Sequence, residues 1–298
     1  DLSLADRGRR LKARTVEDYR TLLGTVLDPW RDVPITEISR AEVKRRHLEY
    51  AERSEARANN GMRLLRALFN YAAVELEGPD GRPVVDVNPV ARLSAGRSFW
   101  HRVPRRQTVL KPHELPAWFA AVNGLRAERS TGQADVCRDY FLTLIRTGLR
   151  KSEAAGLQAQ DVDLRDGSFV VRDTKNRDDH VLPIPAALVE IFERRLETAS
   201  PWVFPNAAGD GPLRKVERWQ KLVGEASGVR FALHDLRRTF TTVGESLDIS
   251  VYTLKRLLNH RTGAADVTAG YAVLSVDRLR EAIDRIGARL DELAEATA

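Results

Sequence analysis

Residues 147–185 read TGLRKSEAAGLQAQDVDLRDGSFVVRDTKNRDDHVLPIP. This stretch has the residue pattern of β-strands, whereas the rest of the sequence has patterns typical of helices. TGLRKSE is a glycine-flanked turn that re-enters a helix. Three short apolar runs follow, DVDL, SFVV and HVLP, and the Asp166-Gly167 turn joins the first two as a hairpin. The polar loop TKNRDD at 174–179 separates the second run from the third. This stretch therefore predicts a small antiparallel sheet of three strands.

The sequence on both sides of this stretch has the apolar spacing of three and four residues that is typical of helices. Helices are predicted at 113–123 and 133–147 before the sheet, and at 186–196, 215–226, 234–246, 251–258 and 276–293 after it. Residues 113–298 thus form one predicted domain, which is mostly helical and contains the sheet.

The first third of the chain has no strand pattern. Helices are predicted at 15–28, at 39–57 and from Asn59 to Ala72, before Gly and Pro residues interrupt the chain. Residues 1–95 are interpreted as a small all-helical domain, and the basic, aromatic, proline-bearing stretch 96–112 as a linker. The predicted fold class is mainly α with a small antiparallel β-sheet: an all-helical domain followed by an α+β domain.

Charge is unevenly distributed along the 298 residues. Residues 1–106 hold 21 Lys/Arg against 15 Asp/Glu, whereas residues 107–298 hold 27 of each, so the whole excess of +6 lies in the first third. Such a surplus indicates either an ordinary solvated surface or a surface that binds a polyanion. No apolar run approaches the roughly 18 residues that span a membrane. Cys137 is the single cysteine, which excludes an intramolecular disulfide and indicates a reducing, intracellular setting.

Six residues are candidates for chemistry, although each alone is more often a surface or packing residue. Arg150 lies in the TGLR turn, Lys175 in the polar hairpin loop, and His234 and Arg237 on one helical face in HDLRRT. His260 ends LKRLLNH, and Tyr271 lies in VTAGYAVLS.

Several function classes are disfavoured by the absence of their motifs. The sequence has no HExxH and no CxxC, so a metal site is not predicted, and it lacks GxxxxGK[ST], GxGxxG and GxSxG. What remains is a set of cations, two imidazoles and a phenol. Two guanidiniums can hold a phosphodiester, a phenol can attack phosphorus, and an ammonium can protonate the leaving oxygen. This set can transfer a phosphoryl group without a metal or another cofactor.

The ordered motifs resemble the tyrosine recombinase (phage integrase) family. TGLRKSE is similar to its first arginine box, TKNRDDHVLPIP to its lysine hairpin, HDLRRTF to its HxxR box, LLNH to its LGH box, and VTAGYAVLS to its tyrosine segment. The separations are 25 residues from Arg150 to Lys175 and 23 from Arg237 to His260. Asn259 stands where the family usually has glycine, and the interval from His260 to Tyr271 is slightly long. Residues 11–93 also resemble the family's core-binding domain.

The resemblance implies a site-specific recombinase that cuts and rejoins duplex DNA. Tyr271 is then the nucleophile, Arg150 and Arg237 clamp the phosphate, and Lys175 protonates the leaving 5′ oxygen. His234 assists proton transfer and His260 binds the phosphate. Strand exchange proceeds through a Holliday junction in a homo-tetramer, with a dimer on each site. The variant boxes favour integration or excision of a mobile element over the resolution of replicon dimers.

Basic residues of the first third and of the linker are candidate DNA contacts, and an ordinary solvated surface is the equal alternative for each of them. They are Lys44, Arg45, Arg46, Arg63, Arg66, Arg102, Arg105 and Arg106. The expected location is the bacterial cytoplasm, at the nucleoid, with no membrane partner; an N-terminal arm-binding domain is expected to be missing from this sequence. The amphipathic helix 276–293 docks either on its own core or on a neighbouring protomer. A type IB topoisomerase and a catalytically silent DNA-binding protein of the same fold remain alternatives.

Overall fold

A computed structural model gives the fold of the chain. It describes residues 11–94, 99–104, 106–125, 132–172, 174, 178–260 and 276–296. The chain divides into two compact units, residues 1–105 and residues 106–298.

The first unit is built on two helices, α1 (Ala13–Leu23) and α2 (Arg40–Glu75). Ser39 begins α2 with a capping box, since its hydroxyl accepts from the Glu42 backbone N–H and the Glu42 carboxylate accepts from the Ser39 N–H. Gly61 lets the chain after α1 approach α2 closely, because a Cβ there would lie 2.3 Å from Val26 Cγ1. The core of this unit contains Leu22, Val26, Val43, Met62, Leu65, Phe69, Val90 and Leu93.

The helix break predicted between 57 and 59 is misplaced. The two predicted helices form the single helix α2, whose backbone leaves helical geometry at Ser54 (φ −167°, ψ 107°). The Ser54 hydroxyl accepts a 3.3 Å bond from the Arg57 N–H and so caps the second segment. Asn59, which was predicted to start the second helix, is instead buried within it.

The predicted linker is divided between the two units. Phe99 and Trp100 pack against the core of the first unit, and the Trp100 indole N–H donates to the Ser94 hydroxyl over 2.9 Å. Leu110 is buried in the core of the second unit. Two cation–π contacts, from Lys44 to Phe99 (4.5 Å) and from Arg63 to Trp100 (5.6 Å), also hold Phe99 and Trp100 against the first unit.

The second unit is mostly helical, as predicted. Its helices before the C-terminal one are α3 (Leu115–Asn123), α4 (Gln133–Thr147), α5 (Lys151–Ala155), α6 (Val189–Leu196), α7 (Glu217–Ser227), α8 (Leu233–Ser246) and α9 (Val251–Leu257). Helix α4 is buried along most of its length and packs against α8. The core of this unit includes Trp118, Phe141, Phe169, Phe192, Phe204 and Phe240, of which Phe141 lies on α4 and Phe240 on α8.

The predicted sheet is confirmed. Strands β1 (Val162–Asp163), β2 (Ser168–Val171) and β3 (His180–Pro183) are antiparallel in the order β1-β2-β3. Val171 pairs with His180, so the polar loop predicted to carry Lys175 leaves from that pair. The fold class, mainly α with one small antiparallel sheet, is therefore confirmed.

The C-terminal helix α10 (Val276–Glu295) packs on its own core. Its buried face contributes Leu279, Ala282, Ile283, Ile286 and Leu290. Polar contacts fix it further: Arg280 donates to the Gly167 carbonyl (2.9 Å), and Asp284 accepts from the Ala186 N–H (2.9 Å). In the single chain, this buried face therefore packs within its own unit. Within the described residues, no helix is long and apolar enough to cross a bilayer.

Candidate active site

Arg150 is placed by the turn between α4 and α5. Gly148 ends α4 in the left-handed conformation (φ +65°), where a Cβ would lie 2.6 Å from Phe240 and 2.9 Å from Leu258. Glycine is therefore required at this position both by its dihedral angle and by its close neighbours. The chain then turns so that Arg150 is the N-cap of α5.

Glu153 orients Arg150. One carboxylate oxygen accepts from Arg150 Nη1 over 2.7 Å, and the other accepts from the Arg150 backbone N–H over 3.0 Å. The Glu153 side chain is only 6% exposed, so this ion pair is largely withdrawn from water. We did not predict Glu153, although a Glu three residues after a helix start is a capping signal that could have indicated it.

Arg237 is the buried cation of the site. It is the fifth residue of α8. Its Nη1 donates to the Gly148 carbonyl (2.6 Å), and its Nη2 donates to the Leu258 carbonyl (2.6 Å). Nη2 also lies 2.9 Å from His260 Nε2. Burial, and then the charge of Arg150, lower the pKa of Arg237 to about 10. These contacts use three of its five N–H donors, which leaves Nε and one Nη1 hydrogen available within the described structure.

His260 follows α9 through a left-handed turn. Asn259 has φ +48°, and asparagine tolerates this conformation better than other non-glycine residues. The His260 N–H donates to the Lys255 carbonyl over 2.8 Å, which closes the turn as a Schellman-type cap. Asn259 thus performs the conformational role of the glycine that the family usually has there.

Burial and nearby arginines keep His234 and His260 neutral near pH 7. Burial and then Arg237 and Arg150 lower the pKa of His260. Burial, followed by Arg238, Arg237 and Arg150, lowers the pKa of His234. Because Arg237 can only donate, His260 Nε2 carries the lone pair and its proton lies on Nδ1.

Asp235 holds the start of α8 and was not predicted from the sequence. Its Oδ2 accepts from the Ala232 N–H (2.8 Å), and its Oδ1 accepts from Arg238 Nη1 (2.8 Å) and from the Thr108 hydroxyl (2.8 Å). The side chain is 7% exposed. This buried carboxylate fixes the helix turn on which His234 and Arg237 lie.

The other two predicted catalytic residues, Lys175 and Tyr271, lie outside the described residues. Tyr140 lies near the site but is a poor nucleophile: its hydroxyl donates to the Lys151 carbonyl (2.8 Å), and burial raises its pKa. Burial also raises the pKa of the Cys137 thiol to about 12. Both groups are therefore poor nucleophiles near neutral pH.

A cavity of about 540 Å³ lies beside His234. Lys151, Arg214 and Gln220 contribute polar groups to it, and Leu213 and Leu233 contribute apolar walls. The cavity is therefore flanked by cations on the same side of the unit as the catalytic candidates.

The predicted DNA contacts fall into different environments. Arg45, Arg63, Arg66, Arg102 and Arg106 are exposed, Lys44 is half-buried against Phe99, and Arg105 lies outside the described residues. Arg46 is occupied internally, since Nε donates to the Val26 carbonyl (2.8 Å) and Nη2 to the Thr25 carbonyl (2.8 Å). The structure therefore favours a role for Arg46 in holding the end of α1 over a role in DNA contact.

The arrangement suits anion binding and proton transfer. Arg150, Arg237, His234 and His260 lie close enough that the Arg150 charge lowers the pKa of the other three. Two guanidiniums can neutralise a phosphate and stabilise the charge of a pentacoordinate transition state, and neutral imidazoles can accept or relay a proton. Within the described residues, no group of three or more His, Cys, Asp or Glu side chains could hold a metal ion.

Comparison with known families gives one assignment. The family model described as the phage integrase family matches residues 109–272, more than half of the chain. The match begins just before α3 and ends one residue after Tyr271. It therefore includes all six predicted catalytic residues.

Curated relatives match about half of the chain. Tyrosine recombinase XerA of Thermococcus onnurineus is 33% identical over 162 residues, which cover 52% of this chain and 56% of that protein. Prophage integrase IntF of Escherichia coli K12 is 24% identical over 164 residues, covering 52% of this chain and 33% of IntF. The chain spans about half the length of the XerA proteins that it matches.

Solved structures match both units in fold. The Tn1549 transposon integrase in complex with transposon right end DNA superposes with a TM-score of 0.66 at 19% identity, covering 94% of this chain and 96% of that one. The lambda integrase(75–356) dimer bound to a COC′ core site gives a TM-score of 0.64 at 18% identity, covering 85% and 89%. At these identities the likeness establishes a shared fold.

Proposed function

Because the chain belongs to the phage integrase family, we propose that it is a site-specific DNA recombinase. It cuts and rejoins duplex DNA through a 3′-phosphotyrosyl intermediate and a Holliday junction, in the integration or excision of a mobile element. The observation that carries the proposal is the convergence of Arg150, Arg237 and two neutral imidazoles on one site.

In the first step, the Tyr271 phenol oxygen attacks the scissile phosphorus. A P–O bond to tyrosine forms, and the bond to the 5′ oxygen breaks. The phenol proton passes to His234, whose lowered pKa leaves it neutral and able to accept. Arg150 and the remaining N–H groups of Arg237 hold the non-bridging oxygens, and Lys175 protonates the departing 5′ oxygen.

His260 completes the phosphate site. Its Nδ1 carries the proton while Nε2 faces Arg237, so the imidazole can donate to a phosphate oxygen through Nδ1. In the second step, a 5′-hydroxyl from the partner strand attacks the phosphotyrosine and releases Tyr271. The covalent bond conserves the energy of the phosphodiester, so neither ATP nor a metal is needed.

We further propose that residues 1–95 form a core-binding domain, residues 96–112 a linker, and residues 113–298 the catalytic domain. The exposed side chains of Arg45, Arg63 and Arg66 on α2, and those of Arg102 and Arg106, support phosphate contacts. We also propose that the protein acts in the cytoplasm of a bacterium, at the nucleoid.

The proposed assembly is a tetramer on paired sites, with a dimer on each. A lambda integrase tetramer bound to a Holliday junction has the same fold, with a TM-score of 0.65 at 19% identity, covering 95% of this chain and 74% of that one. In the present structure the apolar face of α10 is covered by its own chain. A role for this apolar face between protomers would therefore require the helix to exchange between neighbours on DNA.

Covalent trapping tests the proposed activity. A nicked suicide substrate that carries the attachment site should give a protein–DNA adduct with the unaltered chain and none with Tyr271→Phe, while both bind the DNA. Adduct formation should persist in EDTA. An adduct with Tyr271→Phe would exclude Tyr271 as the nucleophile, and loss of the adduct in EDTA would exclude the metal-free mechanism.

The same preparations separate the alternatives. Relaxation of supercoiled plasmid without a specific site would favour a type IB topoisomerase. DNA binding without any adduct from the unaltered chain would favour a catalytically silent DNA-binding protein.

A further inference from the structure

The end of α9 leaves two carbonyl groups for side chains to satisfy. The last carbonyls of a helix have no partner within the helix. Here the Leu254, Lys255 and Arg256 carbonyls accept from the N–H groups of Leu258, His260 and Asn259, over 2.9, 2.8 and 3.0 Å respectively. These bonds close the left-handed turn, and the carbonyls of Leu257 and Leu258 remain.

Each remaining carbonyl is approached by a side chain from a different element. The Leu258 carbonyl accepts from Arg237 Nη2 on α8 over 2.6 Å. The Leu257 carbonyl lies 3.3 Å from His180 Nε2 on β3. A carbonyl oxygen can only accept, so His180 carries its proton on Nε2 in this contact. The turn that presents His260 is thus attached on one side to the phosphate-binding arginine and on the other to the sheet.

His180 is well suited to this attachment. It is only 4% exposed, and it is the first residue of β3, paired with Val171 at the base of the loop that contains Lys175. Burial is the largest cause that lowers the pKa of His180, and the charges of Arg256 and Arg237 lower it further. The bond to the Leu257 carbonyl and the charge of Glu153 oppose this shift without reversing it. A neutral imidazole can donate one hydrogen bond in this place without burying a charge.

We propose that His180 is a positioning residue for DNA cleavage: it ties the base of the lysine hairpin to the turn that carries His260. This inference rests on the proposed function. His180 itself does not touch the phosphate. It acts by holding the His260 backbone at a fixed distance from β3, so that the imidazole meets the phosphate held by Arg237.

Two substitutions at His180 separate the loss of its hydrogen-bond donor from the loss of its packing. His180→Leu fills the site but removes the donor, whereas His180→Gln keeps an N–H donor. We expect His180→Leu to lower single-turnover cleavage of the suicide substrate about 10- to 100-fold, the loss that follows small displacements of catalytic groups. His180→Gln should restore most of it. Val181→Ala, a change at an exposed residue of the same strand, is the matched control and should cleave normally.

A double-mutant cycle with His260→Ala tests whether His180 acts through His260. If it does, His180→Leu should change the residual cleavage of the His260→Ala protein by no more than about twofold, because coupled residues are not additive. An equal loss in both backgrounds would show an independent structural effect and would overturn the proposal. So would equal cleavage by His180→Leu and the unaltered chain, or equal losses in the Leu and Gln variants.

Cleavage by the unaltered chain distinguishes failure of the proposed recombinase activity from failure of the positioning role of His180. If this chain forms no adduct on the substrate, the proposed recombinase activity fails. If it forms the adduct and His180→Leu does so at the same rate, only the positioning role fails. Equilibrium binding of uncleaved DNA by the His180 and Val181 variants serves as the folding control, since neither residue is a predicted DNA contact.

Discussion

Arg237 Nη2 and His260 Nε2 lie 2.9 Å apart, and the same Nη2 donates to the Leu258 carbonyl two residues before His260. One guanidinium nitrogen thereby fixes both the backbone and the side chain of the segment that ends α9. The arginine of the HxxR box is therefore a structural link as well as a proposed phosphate ligand. Because its donor needs a lone pair on the imidazole, the contact depends on a neutral His260.

Stability is expected to fall when the pH drops below about 6.5, the unperturbed histidine pKa. His47, His180, His234 and His260 all have a lowered pKa in the folded chain, with burial as the largest cause. The unfolded chain then binds protons that the folded chain does not, so the free energy of unfolding decreases as the pH falls from 6.5 towards the folded values.

Denaturant unfolding at pH 7.5, 6.5 and 5.5 measures this loss. The His180→Gln protein should show a shallower dependence over the same interval, because one of the four groups no longer titrates. Parallel curves for the two proteins would show that His180 does not contribute to the pH dependence.

Gly148→Ala is expected to destabilise the second unit and to abolish cleavage. The added Cβ would meet Phe240 at 2.6 Å and Leu258 at 2.9 Å, in a backbone conformation that already disfavours alanine. Gly228→Ala is the matched control, with φ +71° and open space around the Cβ. Its cost should be about 1 kcal/mol from the backbone alone, and Gly148→Ala should cost about 1–3 kcal/mol more. Equal unfolding midpoints would contradict the packing argument.

The effect of a substitution at Asn259 should depend on how readily the new residue adopts the left-handed backbone conformation. Asn259→Gly, which introduces the residue usual in the family, should keep both stability and cleavage. Asn259→Val should lose about 1–2 kcal/mol, because a β-branched residue resists φ +48°. Thermal unfolding and suicide-substrate cleavage measure both effects, and a Val variant with normal cleavage would show that the turn can form without left-handed geometry.

Thr108→Val tests the bond between Thr108 and Asp235. Removing the hydroxyl should cost about 1 kcal/mol, since Asp235 keeps Arg238 and the Ala232 N–H as partners. Thr198→Val, which loses a hydrogen bond of equal length to the Arg195 carbonyl, is the control. Both proteins should lose similar stability, but only Thr108→Val should slow cleavage, because Asp235 holds the α8 turn with His234 and Arg237. Equal cleavage by the two variants would argue against this role of Asp235.

Local sequence patterns were sufficient for the elements and for naming the site candidates. Apolar spacing and turn residues predicted the helices of the second unit and the three-stranded sheet, because these depend on neighbouring residues. The misplaced break in α2 shows the limit of such patterns. The kink lies at Ser54, whose hydroxyl caps the second segment, and nothing in the apolar period distinguishes it from Asn59.

The sequence by itself determined the fold class and the order of the candidate motifs, since motifs and periodicity are local. Only the tertiary structure decided how the site is held together. Arg237 bonds to Gly148 across 89 residues, Asp235 to Thr108 across 127, and His180 approaches Leu257 across 77. The tertiary structure also shows that Arg46 bonds to the carbonyls that follow α1 and that the apolar face of α10 is buried. Such contacts form because helix packing brings buried polar groups from distant parts of the chain together. The spacing of residues along the chain does not specify these pairings.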